Sequence, residues 1–366
     1  MSLKKIKTFL AYNTVIPILI VILILSSLFV PNFLTVRNIL NVLNQNAIKG
    51  IMAIGMTFVI INGYFDMSVC TLVSLTAALS CGLQNTIGVV PAVLLAALAG
   101  IAVGAINGLL VAKVGINAFV VTLALMLGCR SLSYLYSGEQ SILAKSEAFT
   151  DFGMGGIGGL SYISILFFIL LLIAHYVLRY TKHGRNTYAT GGNAGSAYNA
   201  GINVQRTTFI NFVICGFTGA LGGILYAAQT GTASPGLGWP DMHMLVIAAV
   251  VLGGSKLVGG FGNIWYTLGG VMILGIVSNA MNLLSIQTYV STMVTGLIMI
   301  GVLYLDKVLT ERRKKLGQTE NALLAINTQI YRRNNYEFQA IFCNVGSRYC
   351  NGSQPDWLWR KWQFEQ

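Results

Sequence analysis

The sequence predicts an all-α integral membrane protein, with about ten transmembrane helices and both termini cytoplasmic. Three observations carry this: 55% of the residues are hydrophobic and only 9% charged, the mean hydropathy is +0.70, and apolar stretches of spanning length recur along the 366 residues. An ordinary soluble chain is about 25% charged. With 34 ionisable side chains (23 + 11) on 39.4 kDa, this one cannot solvate a globular surface, so much of that surface must face lipid. Forty-one glycines and six prolines suit closely packed membrane helices, not a disordered or collagen-like chain.

In order, the expected spans cover about 9–30, 39–61, 67–84, 87–112, 118–136, 162–180, 208–228, 243–260, 264–284 and 288–305. The first follows Lys4, Lys5 and Lys7 and has no small-residue cleavage site before Pro31, so it is expected to stay as a span rather than be removed. The second opens amphipathically, with Asn41, Asn44, Gln45 and Asn46, and the third and eighth abut glycine-rich or polar breaks. An even count puts both termini on one side. The positive-inside rule makes that side cytoplasmic: it receives Lys113, the 182–206 connection, Lys256 and Arg312-Arg313-Lys314-Lys315, whereas the other receives Arg37 and Lys145 with Glu139, Glu147, Asp151 and Asp241.

The net charge of +12 divides along the chain. Residues 1–305, the expected membrane domain, carry +8 (13 − 5), and the polar tail 306–366 carries +4 (10 − 6). In the membrane domain the basic residues lie mainly in short connections, so the charge reports topology and not a nucleic-acid partner. The tail contains Arg332-Arg333, Trp357, Trp359 and Trp362 and is expected to be a disordered or interfacial cytoplasmic extension. Cys70, Cys81, Cys129 and Cys215 have no metal or redox spacing and read as small core residues, and a lasting disulfide between Cys343 and Cys350 in the tail is not expected.

Two connections are long. The outer one, 137–161, is rich in Gly and Ser with a few acids, a surface suited to an extracytoplasmic partner. The cytoplasmic one, 181–207, contains a short helix with its own punctuation, Asn193 as N-cap and Gly201 just past its end, and is a candidate docking element. Within the spans, Gly100, Gly104 and Gly108 form one small-residue face, and Gly216 and Ala220, with Gly219 and Gly223, form another. Such faces let backbones approach, either inside one bundle or across a dimer seam.

Asp66 is the acid closest to the membrane interior. It either caps the start of the following helix, with Ser68 and nearby amides as donors, or lines a substrate path. Arg130, inside the fifth span, reads as an anchor near the external half or as a ligand contact. His175, His183 and His243 fall near span ends or in connections, a pattern that disfavours proton pumping. Gly253-Gly254-Ser255-Lys256 lacks the spacing of a nucleotide-binding P-loop, and no H-E-x-x-H, G-x-S-x-G or paired-carboxylate constellation is present. If the chain does work, the energy is expected to come from a partner.

Three stretches together resemble the sugar-type, ribose-permease-like family of bacterial ABC importer permeases. Gly50-Ile51-Met52-Ala53-Ile54-Gly55-Met56-Thr57 running into Phe65-Asp66-Met67-Ser68-Val69 is similar to the family's G-I-D-L-S-V-G segment. Gly184-Arg185-Asn186-Thr187-Tyr188-Ala189-Thr190-Gly191-Gly192-Asn193, then Ala197 and Gly201-Ile202-Asn203, resembles its G-R-x-x-Y-A-x-G-G-N…G-I-N pattern. Ala248-Ala249-Val250-Val251-Leu252-Gly253-Gly254-Ser255, then Leu257 and Gly259-Gly260, resembles its A-A-V-V-L-G-G-T-S-L-x-G-G. The resemblance runs over roughly residues 35–306. The chain departs from the pattern at Tyr64 and Cys70, where glycines are usual, at Phe261 in place of an arginine, and at Tyr266 in place of a small residue.

The resemblance implies a non-enzymatic permease subunit in the bacterial plasma (inner) membrane that imports a monosaccharide or related small polar solute. It implies a second permease copy or a sister permease, two ABC ATPase subunits below, and a periplasmic or extracellular solute-binding protein above. No cofactor or metal is expected on this chain, since the ATPase would use the ATP. Gly184, Arg185, Gly191, Gly192, Asn193, Ala197 and Gly201 then become the expected ATPase-coupling loop. Sugar paths are lined by aromatic and amide side chains, so Asn62, Asn107, Asn117, Trp239, Asn279 and Asn282 join Asp66 as candidate path residues. A secondary transporter or channel acting alone is the alternative reading, and a membrane enzyme would need a polar constellation that the sequence lacks.

Overall fold

Side-chain caps set most helix boundaries. In the computed structural model, which describes residues 15–239, 242–287, 289–298, 300–301 and 304, α1 is Val15–Phe29 and α2 is Val36–Ile61, opened by Thr35, whose side chain accepts from the Asn38 amide. α3 (Val69–Ile87) and α4 (Val89–Leu109) are joined through Gly88, and α4 ends in a π turn, Leu110–Val114. Asn117 caps α5 (Ala118–Ser137), Ser161 caps α7 (Tyr162–Tyr180), Thr181 caps α8 (Lys182–Gly192) and Asn193 caps α9 (Ala194–Asn199). Asn203 caps α10 (Val204–Thr230) and Asn263 caps α12 (Ile264–Leu283). Each cap accepts from an amide two or three residues on, replacing a partner that the first turn lacks. Between them lie a short outer helix α6 (Glu147–Met154), α11 (Met242–Leu252) and α13 (Tyr289–Ile298).

Among the described residues, five helices are long and apolar enough to cross a bilayer: α4 with its π turn, α5, α7, α10 and α12. α1, α11, α13 and the Val69–Gln84 part of α3 are shorter apolar helices. Four two-residue strands add two antiparallel ladders: β1 (Ile142–Leu143) with β4 (Thr232–Ala233), and β2 (Gly156–Ile157) with β3 (Leu160–Ser161). The coarse prediction of an all-α membrane protein therefore matches the structure. Residues 1–14, the end of the tenth expected span and the tail 306–366 with its tryptophans lie outside the described residues.

The eighth expected span differs. A helix over 243–260 would need regular backbone through two glycine pairs; instead α11 stops at Leu252, and Gly254, Gly259 and Gly260 take φ of +81°, +89° and +72°. At about 1.5 Å per residue, the 11 residues of α11 reach only about half the hydrocarbon thickness. Apolar composition continues past the helix, which is why hydropathy overran its end.

The core sits on α2 and α10. Every residue of α2 from Gly50 to Ile61 is buried, and α10 packs against α2, α3 and α4. The glycine faces read from the sequence meet each other inside the chain. A Cβ on Gly100 would lie 2.7 Å from the Gly216 carbonyl, one on Gly104 3.1 Å from the Gly216 Cα, and one on Gly108 3.0 Å from the Phe209 Cα. These glycines therefore form an α4–α10 seam, and Gly216 and Ala220 are committed to it rather than to a second subunit.

Gly104→Leu is expected to destabilise the domain by about 1–3 kcal/mol through overpacking. Gly128→Leu, where an added Cβ meets nothing within 4 Å, should leave it unchanged. Thermal unfolding of both variants in detergent checks this, and equal midpoints would contradict the seam.

Candidate functional site

Between α2 and α3 the chain is unwound from Asn62 to Ser68, and this segment does not stay at the helix ends. Asp66 reaches Asn107, seven residues before the end of the α4–π stretch, and lies beside Cys215, eleven residues into α10. Those positions are roughly 10 and 17 Å along the helices from their nearer ends. Irregular backbone at such depth is tolerated where protein encloses it or where it lines a cavity.

Asp66 has no exposed surface. Its Oδ1 accepts from the Ser68 amide at 2.9 Å and the Ser68 hydroxyl at 2.6 Å, and Asn107 Nδ2 donates to both carboxylate oxygens at 3.3 Å and to Ser68 Oγ at 2.9 Å. All these donors are neutral. Asp66 thus binds Ser68, the residue just ahead of α3, and not an amide of the helix's first turn, while Asn107, another of the candidate path residues, completes the cluster. Asn107 Oδ1 remains a buried acceptor with no partner among the described residues, and so does Asn62 Oδ1, although Asn62 Nδ2 donates to Thr208 Oγ1 at 2.8 Å.

A second unwound segment, following α10, meets the start of α3. Gly238, at φ +82°, packs its Cα against the Cys70 carbonyl, where any side chain would collide. Next to it Trp239 lies under the Arg130 guanidinium, 4.1 Å from ring centroid to Cζ, with Tyr134 at 5.6 Å on the same cation. Arg130 is half-buried and held by aromatic faces, in keeping with an anchoring role.

The other candidate path residues fall elsewhere. Asn117 is exposed, and its side chain caps α5 at 2.9 Å. Asn279 forms a reciprocal amide pair with Asn38, 2.9 Å in each direction. Asn282 lines a separate cavity between α2, α11, α12 and α13. Of the seven, only Asp66 and Asn107 are brought into direct contact.

The expected coupling residues form one unit. α8 is wedged against the ends of other helices: a Cβ on Gly191 would strike the Ile61 carbonyl and lie 2.7 Å from Gly260 N, and one on Gly260 would lie 2.6 Å from the Gly192 Cα. Gly184 passes equally close to the Val177 and Leu178 carbonyls. Gly260 N donates to Ile61 O at 2.8 Å, and Tyr188 Oη donates to Gly262 O at 2.8 Å. His183, pushed below its ordinary range by burial, pairs through Nε2 with Asn211 Oδ1 at 2.8 Å and stacks on Phe58. Arg185 is exposed, its guanidinium on the Tyr180 carbonyl.

Beyond α8 stands α9, whose Asn193 side chain accepts from Ser196 N at 2.9 Å and whose Gly201 takes φ +80° just past its end. Ala197 faces inward and is buried, while Tyr198 is 73% exposed. Sequence reasoning missed Tyr188, His183 and Gly63 as parts of this junction. The Gly259-Gly260 doublet was a visible signal, but nothing in the sequence indicated which backbone it approaches.

A bundle of apolar helices with unwound, polar backbone buried at its centre defines a multi-pass membrane transport protein. The chain belongs to the permease family described as branched-chain amino acid transport system / permease component, which matches residues 38–303. It is 36% identical over 299 residues to the ribose import permease protein of Escherichia coli K12, covering 80% of this chain and 92% of that one. It is 37% identical over 292 residues to the ribose import permease protein of Bacillus subtilis (79% and 90%), and 36% identical over 300 residues to the L-arabinose transport system permease protein of E. coli K12 (78% and 88%). No solved structure matches the chain.

Asp66→Ala takes the acceptor from the Ser68 amide and hydroxyl, while Asn107 Nδ2 keeps Ser68 Oγ, and should cost about 1–3 kcal/mol for each donor left unpaired. Asp66→Asn keeps an acceptor for Ser68 and should cost less. Comparing the two by thermal unfolding tests the cluster; an Ala variant as stable as the Asn variant would show that these hydrogen bonds do not hold the segment.

Proposed function

We propose that the chain is the translocation subunit of an ATP-driven importer for a monosaccharide or related small polar solute, in the bacterial plasma (inner) membrane. In this reading the domain has ten spans, α11 being an incomplete one, with both termini cytoplasmic. It pairs with a second copy or a sister permease. Separate ABC ATPase subunits consume the ATP, and this chain binds no cofactor. The names of the ribose and arabinose relatives support the solute class.

The observation that carries the proposal is the continuity from α9 to Asp66. α9 presents Tyr198 outward for an ATPase, and its neighbour α8 is locked by backbone contact to Ile61 and Gly260. Ile61 is the last residue of α2, five before Asp66. Displacement of α9 therefore acts on the segment that holds the carboxylate. ATP drives the cycle only if the ATPase interacts differently with the outward- and inward-open states. On the opposite side, the 138–161 connection exposes Leu143, Met154 and Ile157, a surface fit for the solute-binding protein. The unpartnered Asn107 Oδ1 is an acceptor suited to a solute hydroxyl.

Ala197→Trp, at a buried position, and Gly201→Val, at φ +80°, should each lower ATP-dependent uptake at least tenfold and uncouple ATPase activity from substrate, while membrane insertion persists. Uptake equal to the native chain would remove the coupling assignment. Reconstitution of the chain without an ATPase tests the alternative: flux driven by an ion gradient would replace the importer reading with a secondary transporter.

A further inference from the structure

Lys49 is absorbed by none of these roles. It has thirteen residues of α2 before it and twelve after it, which places it roughly 18–20 Å along the helix from either end. It faces a cavity of about 320 Å³ between α2, α11, α12 and α13, within the size range of small-molecule sites. Polar groups from three helices share the wall: Asn46 from α2, Ser278 and Asn282 from α12, Ser291 and Thr295 from α13. The rest is largely apolar, including Val246 and Leu274, and the described wall carries no acid. Among the described acids, Asp66 is enclosed by Ser68 and Asn107, and Glu139, Glu147 and Asp151 lie in the outer connection.

An ammonium group on a helix packed inside an apolar domain is costly unless it meets a counter-charge or water, and such residues generally face a functional cavity. We propose that this cavity binds an oxyanion, the carboxylate or phosphate of a small hydroxylated solute. Lys49 supplies the charge, and the amides and hydroxyls of Asn46, Ser278, Asn282 and Thr295 bind the solute's hydroxyls. The inference rests on the reading of the chain as a small-solute permease and adds the charge class of the solute. A lipid phosphate offers the same chemistry; the hydroxyls and amides that three helices place around the cavity are partners that a hydroxylated solute can use, and they favour it.

The test uses the full chain in phosphatidylcholine nanodiscs, with equilibrium binding of D-ribonate, D-ribose 5-phosphate and D-ribose. At least one anionic probe should bind tenfold or more tightly than ribose; Lys49→Gln should erase that preference and Lys49→Arg keep it. Should Lys49→Gln fail to insert, Asn282→Ala, at an exposed rim position, should weaken the anionic probe severalfold. In parallel discs containing phosphatidylglycerol, lysine-dependent retention of that lipid with no preference among the soluble probes would support the oxyanion site and assign its source to the bilayer. A preference untouched by the substitutions, or no anion preference and no lysine-dependent lipid retention, overturns the proposal. No ATPase is present in this assay, so its failure and failure of the importer reading are separately visible.

Discussion

The constraint on which the rest of the structure depends is that backbone leaving a helix inside an apolar domain must find partners there. Two segments do this, one after Ile61 and one after Thr230, and both are tolerated because they meet protein at once. Asp66 supplies acceptors for the first, and the Gly238–Cys70 approach closes the second against the start of α3. The approach needs a residue with no side chain and a positive φ, and glycine supplies both. The α4–α10 seam serves the same end, because its small residues bring Asn107 and Cys215 close enough to surround the carboxylate.

Polarity inside the domain is handled in two ways. Asp66 is held only by neutral donors, and its enclosure is complete. Lys49 faces a cavity whose described wall carries no acid, and in the proposed reading its counterpart is the solute. The two charges belong to different sites and do not compensate each other. In the proposed transport cycle this separates a structural carboxylate, tied to the mechanical junction, from a cation positioned to select what enters.

Although the caps at Thr35, Asn117, Ser161, Thr181, Asn203 and Asn263 are local signals that went unread, the apolar character of the helices was legible because it is equally local. The small helix at Asn193–Gly201 was legible for the same reason. The end of α11 was not, since Val-Leu-Gly-Gly remains apolar after the backbone has left the helix. Nor were the asparagines. Asn279 and Asn107 look alike in sequence, yet one amide is satisfied by Asn38 and the other leaves an acceptor bare. That difference depends on which helix faces which, and helix rotation is set by tertiary packing.

In the proposed coupling, the glycine junction lets α8, a helix of low hydrophobicity, act as a lever. A side-chain contact yields by rotamer change, which dissipates a small displacement. Backbone against backbone, as between Gly191 and Ile61 or Gly259 and Gly63, offers no such slack. The hydrogen bond from Gly260 to Ile61 then ties the segment after α11 to the end of α2, so the irregular segments after these two helices share one anchor. A displacement entering through α9 must be carried by the ends of α2 and α11 together, or the junction must open and strand the Ile61 carbonyl.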